Sequence, residues 1–256
     1  MKRLAIKEIE TKLFSQTDVN EEWLTELQED DRKGVERLLL KFRKQQEMQE
    51  KLTMMHEEML TYEREGWGKG YTHIAGLDEV GRGPLAGPVV SAAVILPQSV
   101  NLPGLTDSKK LSKEKREYFF EEIKSQAIAH EIMFVPADEI DKVNIYEATK
   151  LAMQRAIDQL DIKPDYLLLD AMKLENQLPQ VSLIKGDQKS LTIAASSVLA
   201  KVARDRYMEA LEGEFPGYGF DRHVGYGTPV HLDAMKRLGI TKEHRKSFKP
   251  VADCIK

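Results

Sequence analysis

The sequence predicts an α/β protein: a mixed β-sheet flanked by helices and preceded by a helical N-terminal extension. Three observations carry that expectation. Residues 1 to 65 set apolar side chains at helical spacing among dense charges, first Val35, Leu38, Leu39 and Phe42, then Leu52, Met55 and Met59. Beyond residue 70 the pattern turns to short strand-like runs, at first adjacent and then interleaved with helices, the order expected of a mixed sheet. Between the two regions Gly66, Gly68 and Gly70 lie close together, a composition suited to a flexible joint. The expected division is therefore an extension over 1–70 and a main domain over 71–256 with a helical C-terminal region.

Within the extension, Asn20 and Asp31 are candidate helix N-caps. In the main domain His73 to Leu77 and Val89 to Leu96 read as strands joined by a Gly- and Pro-rich turn, a hairpin. A polar loop leads to a helix from Ser112, and Ile128 to Val135 supplies a third strand. Asn144 caps a helix with Ala148, Leu151, Ala152, Ala156 and Leu160 on one face, which Pro164 terminates. Tyr166 to Leu169 is wholly apolar, as befits a strand covered on both sides, and Val181 to Ile184 is a further strand. A turn over Lys185 to Asp187 then opens a long helix from Leu191 to Leu211, with Ala194, Ala195, Val198, Val202 and Leu211 inward.

Composition removes several function classes. The chain of 256 residues is 41% hydrophobic, enough for a substantial core, and its 38 Lys and Arg against 42 Asp and Glu advertise no general affinity for nucleic acid. One cysteine, Cys254, excludes a disulfide framework and Cys-rich zinc sites, and fits a reducing, cytoplasmic setting. No run approaches the roughly 20 uncharged apolar residues of a membrane span, so no membrane partner is expected. Zincin His pairs, Gly-x-Ser-x-Gly and the P-loop are also missing.

Asp78 and Glu79 directly follow an apolar strand, which sets them at the rim of the core. Two ionised carboxylates so close raise each other's proton affinity, and a divalent cation is the simplest remedy. An Asp-Glu pair alone is ordinarily a solvated turn. Repetition argues otherwise: Asp170 also ends an apolar strand, and Asp187 sits in a tight turn before a helix. Oxygen-only ligands suit a hard cation such as Mg²⁺ or Mn²⁺, and two such ions serve phosphodiester hydrolysis. Asp205 beside Arg204 reads instead as a helix-surface ion pair.

After Glu79 the glycines Gly81 and Gly83 flank Arg82, and Pro84 excludes the helix of a dinucleotide fingerprint. Such glycines let backbone N–H groups approach a phosphate or a ribose hydroxyl. Asp107, Ser108, Lys109 and Lys110 offer hydroxyl and ammonium donors for phosphate. Near the end, His223, Tyr226, His231, Lys236, Arg237, Lys242, His244, Arg245, Lys246 and Lys249 outnumber the local acids, a segment suited to backbone tracking and stacking or else simply a basic helix.

Together these residues resemble ribonuclease HII, the type 2 ribonuclease H family. The stretch Ala75 Gly76 Leu77 Asp78 Glu79 Val80 Gly81 Arg82 Gly83 Pro84 Leu85 Ala86 Gly87 Pro88 Val89 Val90 looks like its signature. Asp107 to Leu111, Asp170, Lys185 to Asp187, Ala194 to Asp205, Gly225 to Thr228 and His244 to Phe248 continue the likeness over roughly 72–251. The resemblance implies a ribonuclease H-like fold and an endoribonuclease acting on RNA-DNA hybrids and on single ribonucleotides in duplex DNA. It implies cleavage 5′ of the ribonucleotide, leaving 3′-hydroxyl and 5′-phosphate ends, with a divalent cation held by Asp78, Glu79, Asp170 and Asp187. Gly81, Arg82 and Gly83 would then recognise the 2′-hydroxyl, Tyr226 would stack on the adjoining deoxyribose, and Ser108 and Lys109 would bind phosphate.

The sister family, ribonuclease HIII, also carries an N-terminal extension, but lacks the Gly-Arg-Gly motif and usually ends the acid set in Glu, where this chain has Asp187. The resemblance says nothing of residues 1–70. That arm would grip the duplex, contact a protein or pack. A monomer is expected, with protein partners open. Two rivals from other classes are a hybrid-binding module without activity and a general two-metal DNA nuclease.

Overall fold

The computed structural model describes residues 4–15 and 19–255, so residues 1–3, 16–18 and 256 of the expected extension and C-terminal region lie outside it. The chain forms two compact units, Met1–Met55 and His56–Lys256. The first contains α1 (Ile6–Ser15), α2 (Glu21–Gln28) and most of α3 (Lys33–Met59). Its core is the set that helical spacing brings together: Ile9 and Leu13, Leu27, and Val35, Leu38, Leu39 and Phe42. Fully burying such a side chain contributes about 1.5–3 kcal/mol. Asn20 caps α2 by accepting the Glu22 amide at 2.7 Å.

The second unit takes in the last turn of α3 and continues with α4 (Thr61–Gly68), and here the expectation of a flexible joint is corrected at Gly66. Gly66 is buried because a Cβ there would meet Ile74 Cδ1 at 2.5 Å. The missing side chain lets α4 lie against the sheet, while Tyr62, Trp67 and Tyr71 pack around Ile74, Tyr166 and Leu168. Of the three clustered glycines Gly66 thus serves close packing, whereas Gly68 and Gly70 have open space where a Cβ would be.

Five strands follow, β1 (Ile74–Val80), β2 (Val89–Ile95), β3 (Ala129–Val135), β4 (Tyr166–Asp170) and β5 (Gln180–Leu183), in the order β3-β2-β1-β4-β5. β1 is antiparallel to β2 and parallel to β4, so the sheet is mixed as expected. One boundary moves: β1 continues through Asp78, Glu79 and Val80, because β2 pairs with it as far as Val80↔Val90.

The helices of this unit are α5 (Lys113–Gln126), α6 (Ala137–Val143), α7 (Ile145–Gln159), α8 (Leu191–Glu214), α9 (Phe220–His223), α10 (Pro229–Leu238) and α11 (Lys249–Ile255). Asn144 caps α7 as expected, and Ser112, where a helix was expected to begin, caps α5. Strand alternation sorts the sheet's two faces. Ala75, Leu77, Leu167 and Leu169 share a core with Met153, Ala156 and Leu160 from α7 and its end. Ile74, Tyr166 and Leu168 share the opposite face with Ile193 of α8. There Gly76 admits α8 at contact distance: a Cβ would stand 2.3 Å from the Thr192 carbonyl carbon, and Ser196 donates to the Gly76 carbonyl at 2.6 Å. Among the described residues no helix is long and apolar enough to cross a membrane.

Candidate metal centre

The register of two strands assembles the acids. Leu77 pairs with Leu169 in the parallel ladder, so the next residues, Asp78 and Asp170, emerge side by side at the same rim. By alternation both lie on the α8 face with Gly76 and Leu168. The third acid arrives by a turn: Lys185 is left-handed (φ 57°), and the Gly186 amide donates to Asp170 Oδ1 at 2.7 Å. One carboxylate oxygen from each of Asp78, Asp170 and Asp187 lies within 4.8 Å of the others. Glu79 is not one of that trio, but its carboxyl is close enough to Asp170 and Lys109 to feel both charges. Its Oε1 meets Arg82 Nη1 at 3.3 Å, while its Oε2 is buried with no hydrogen-bond partner.

Electrostatics follow from this crowding. Burial, then the neighbouring Glu79 and Asp170, push Asp78 well above the usual carboxylate range, against the pull of the Ser197 hydroxyl and the Glu79 amide. Glu79 is raised by burial, with Arg82 opposing. Asp187 is pushed up to about 6 by burial, then by Asp107 and Asp170. Asp107, expected only as part of a phosphate loop, stands against Asp187. Its Oδ1 accepts the Lys109 amide at 2.9 Å and its Oδ2 the Gln188 side chain at 3.2 Å, fastening the phosphate loop to the Asp187 turn. Mutually repelling buried carboxylates, an orphaned carboxylate oxygen and an all-oxygen donor set fit a hard divalent cation.

The other expected site residues divide. Ser108 is buried, its Oγ 3.0 Å from Ser197 Oγ, whereas Lys109 is exposed and close enough to lower the proton affinity of Glu79 and Asp187. Gly81, at φ +91°, packs so tightly that a Cβ would meet Arg204 Nε at 2.2 Å. Arg82 and Gly83 are exposed, and Tyr226, 48% exposed, holds its ring edge 3.4 Å from where a Gly83 Cβ would be.

Two arginines build this turn, and both overturn the sequence reading. Arg204 is fully buried and donates to the carbonyls of Pro88, Ala86 and Val224, while Asp205 pairs with Lys201 instead. Arg245, read as part of a basic surface, is likewise fully buried and donates to the carbonyls of Gly81, Arg82 and Gly87. His231 and His244 are buried too, while Lys236, Arg237, Lys242, Lys246 and Lys249 stay exposed, so the segment divides between interior and surface. Burial pushes Arg245 down to about 9 and Arg204 to about 10, so both stay cationic at neutral pH. In a trans peptide N–H opposes C=O. With the Gly81 and Arg82 carbonyls drawn toward Arg245, the Arg82 and Gly83 amide hydrogens point away from it.

An acid cluster at the rim of a mixed sheet in the order β3-β2-β1-β4-β5, beside a glycine-rich turn, defines a nuclease of the ribonuclease H class. Comparison with known proteins narrows this. The family profile for Ribonuclease HII matches residues 75–251, and that for the Ribonuclease HII N-terminal domain matches residues 5–67. A ribonuclease HII of Halalkalibacterium halodurans is 61% identical over 98% of this chain and 96% of its own. The crystal structure of the ribonuclease H2 from Pyrococcus horikoshii superposes with a TM-score of 0.62 at 25% identity, over 71% of this chain and 96% of that one. A Bst ribonuclease HIII solved in complex with Mn²⁺ shares the fold, at TM-score 0.54 and 18% identity over 72% of this chain and 69% of that one. The chain belongs to the ribonuclease HII family. It is an endonuclease of ribonuclease H type, acting on RNA-DNA substrates with a divalent metal ion.

Proposed function

We propose that the enzyme incises duplex DNA at embedded single ribonucleotides, as well as RNA-DNA hybrids, cutting 5′ of the ribonucleotide. Water attacks phosphorus, the bond to the 3′ oxygen breaks, and 3′-hydroxyl and 5′-phosphate ends result. The observation that carries this reading is the juxtaposition of the Asp78–Asp170–Asp187 cluster with the turn of Gly81, Arg82 and Gly83 and with Tyr226.

Asp78, Glu79, Asp170 and Asp187 would hold Mg²⁺ or Mn²⁺, which supplies charge stabilisation and an activated water for in-line displacement. The turn of Gly81, Arg82 and Gly83 would recognise a 2′-hydroxyl, a group that only RNA offers, and the orientation of the Arg82 and Gly83 amides away from Arg245 supports this. Tyr226 stacks on the adjoining deoxyribose, and Ser108 and Lys109 hold phosphate. In this reading the enzyme works as a cytoplasmic monomer, residues 71–256 do the chemistry, and the extension of 1–70 adds duplex contact.

Cleavage of three duplexes with Mg²⁺ and with Mn²⁺ is the test: one ribonucleotide in DNA, a continuous hybrid, and pure DNA. Cutting of the first two and not the third is expected. Equal cutting of pure DNA would assign the site to a general DNA nuclease, and no cutting of the single-ribonucleotide duplex would remove the junction reading.

A further inference from the structure

The loop that presents Tyr226 is held from below by buried histidines, and their partners dictate their tautomers. His231 Nδ1 lies 2.9 Å from the Tyr226 carbonyl, which can only accept, so Nδ1 carries the hydrogen. His244 Nδ1 receives the Thr241 amide at 2.9 Å, so on His244 the hydrogen sits on Nε2. The two Nε2 atoms are 3.1 Å apart, and only one assignment satisfies both rings: His244 donates to His231. The hydrogen bonds thus run one way, from the Thr241 amide through His244 and His231 to the Tyr226 carbonyl. Burial lowers both imidazoles, His244 to about 4, which keeps the pair neutral.

The surroundings lock the pair in place. His223 stacks on His231 at 4.6 Å, accepts the Gly225 amide on Nδ1 and faces the Tyr218 carbonyl with Nε2. The His244 backbone bridges to Ala86 of the glycine-rich turn, and the Leu85 amide donates to the Gly225 carbonyl at 2.8 Å. The pair therefore joins the two elements that face the substrate.

We infer that His231 and His244 form a positioning couple that fixes Tyr226 relative to Gly81–Gly83 and thereby sets the preference for a ribonucleotide–deoxyribonucleotide junction. Neither touches substrate. The inference rests on the reading of Tyr226 as the stacking residue.

Imidazole ¹⁵N NMR of the full chain tests the couple without any turnover. Nδ1–H on His231 with Nε2–H on His244 is expected, and any other pair of tautomers overturns the inference. In Mn²⁺-supported cleavage, His231→Phe keeps the volume but loses the donor. The ratio of kcat/KM on a single-ribonucleotide duplex to that on a continuous hybrid should fall about tenfold, chiefly through KM, as for loss of one positioning hydrogen bond. His231→Asn, whose amide nitrogen replaces Nδ1, should restore most of the ratio. An unchanged ratio in His231→Phe, or equal losses in both variants, would refute the couple. Tyr226→Ala runs alongside. If it leaves the ratio unaltered, the stacking role of Tyr226 falls, and the tautomers still decide whether the couple exists.

Discussion

Asp78 and Asp187 at the rim are raised by burial and by neighbouring carboxylates, and that has measurable consequences for single residues. Asp187, raised to about 6, holds its proton in the folded protein to a higher pH than an unfolded aspartate, whose value is about 3.9. Between those values the folded state binds more protons than the unfolded one, so metal-free stability falls as pH rises through that window. Asp187→Asn abolishes this loss. In EDTA the variant should be more stable than the parent at pH 7 by roughly 1–3 kcal/mol, with the gap closing near pH 4. Thermal melting reads this as roughly 2–4 °C per kcal/mol. Turnover of Asp187→Asn and of Asp170→Asn should meanwhile drop to background while both remain folded, because a ligand is lost and no core volume. Near-normal rates would show the acids misassigned. Asp78, Asp170 and Asp187 were legible because strand ends and turns announce themselves in sequence. Arg204 and Arg245 were not: arginine is almost never fully buried, and nothing local reveals that, Val224 apart, these two serve carbonyls 116 to 164 residues away.

At the scale of elements, the start of α8 depends on a residue far upstream. Glu63 of α4 is 1% exposed, and its Oε1 accepts the Ser190 hydroxyl, the Thr192 amide and the Thr192 hydroxyl at 2.6–2.9 Å. A carboxylate at a helix N-terminus satisfies orphan amides and meets the favourable end of the helix dipole. Glu63→Ala should cost about 2–3 kcal/mol in urea denaturation, as loss of a cap and of three buried hydrogen bonds predicts, and a change within error would deny the cap. Gly76→Ala should be worse still, since its Cβ would collide with the α8 backbone rather than a movable side chain. Strands and long helices were legible from alternation, apolar runs and caps such as Asn144. The fate of Gly66 was not, because the same residue serves a hinge or a close contact, and only the partner, Ile74, decides.

On the scale of the molecule, the first compact unit ends at Met55 while α4 folds with the second. Two truncations should therefore behave differently. Removing 1–55 leaves Glu63 and the packing of Tyr62 and Trp67, and metal-dependent cleavage should persist with weaker binding of the duplex. Removing 1–70 strips the α8 cap, and the melting temperature should fall by several degrees, on the order of the Glu63→Ala effect or more. Equal behaviour of the two would show that α4 contributes nothing to the catalytic unit. That same cap has a consequence for birth of the chain on the ribosome. Glu63 is made 127 and 129 residues before Ser190 and Thr192, a delay on the order of ten seconds at ordinary rates of synthesis. For that interval the nascent carboxylate waits in water, and the nuclease cannot be completed until most of its length has left the exit tunnel.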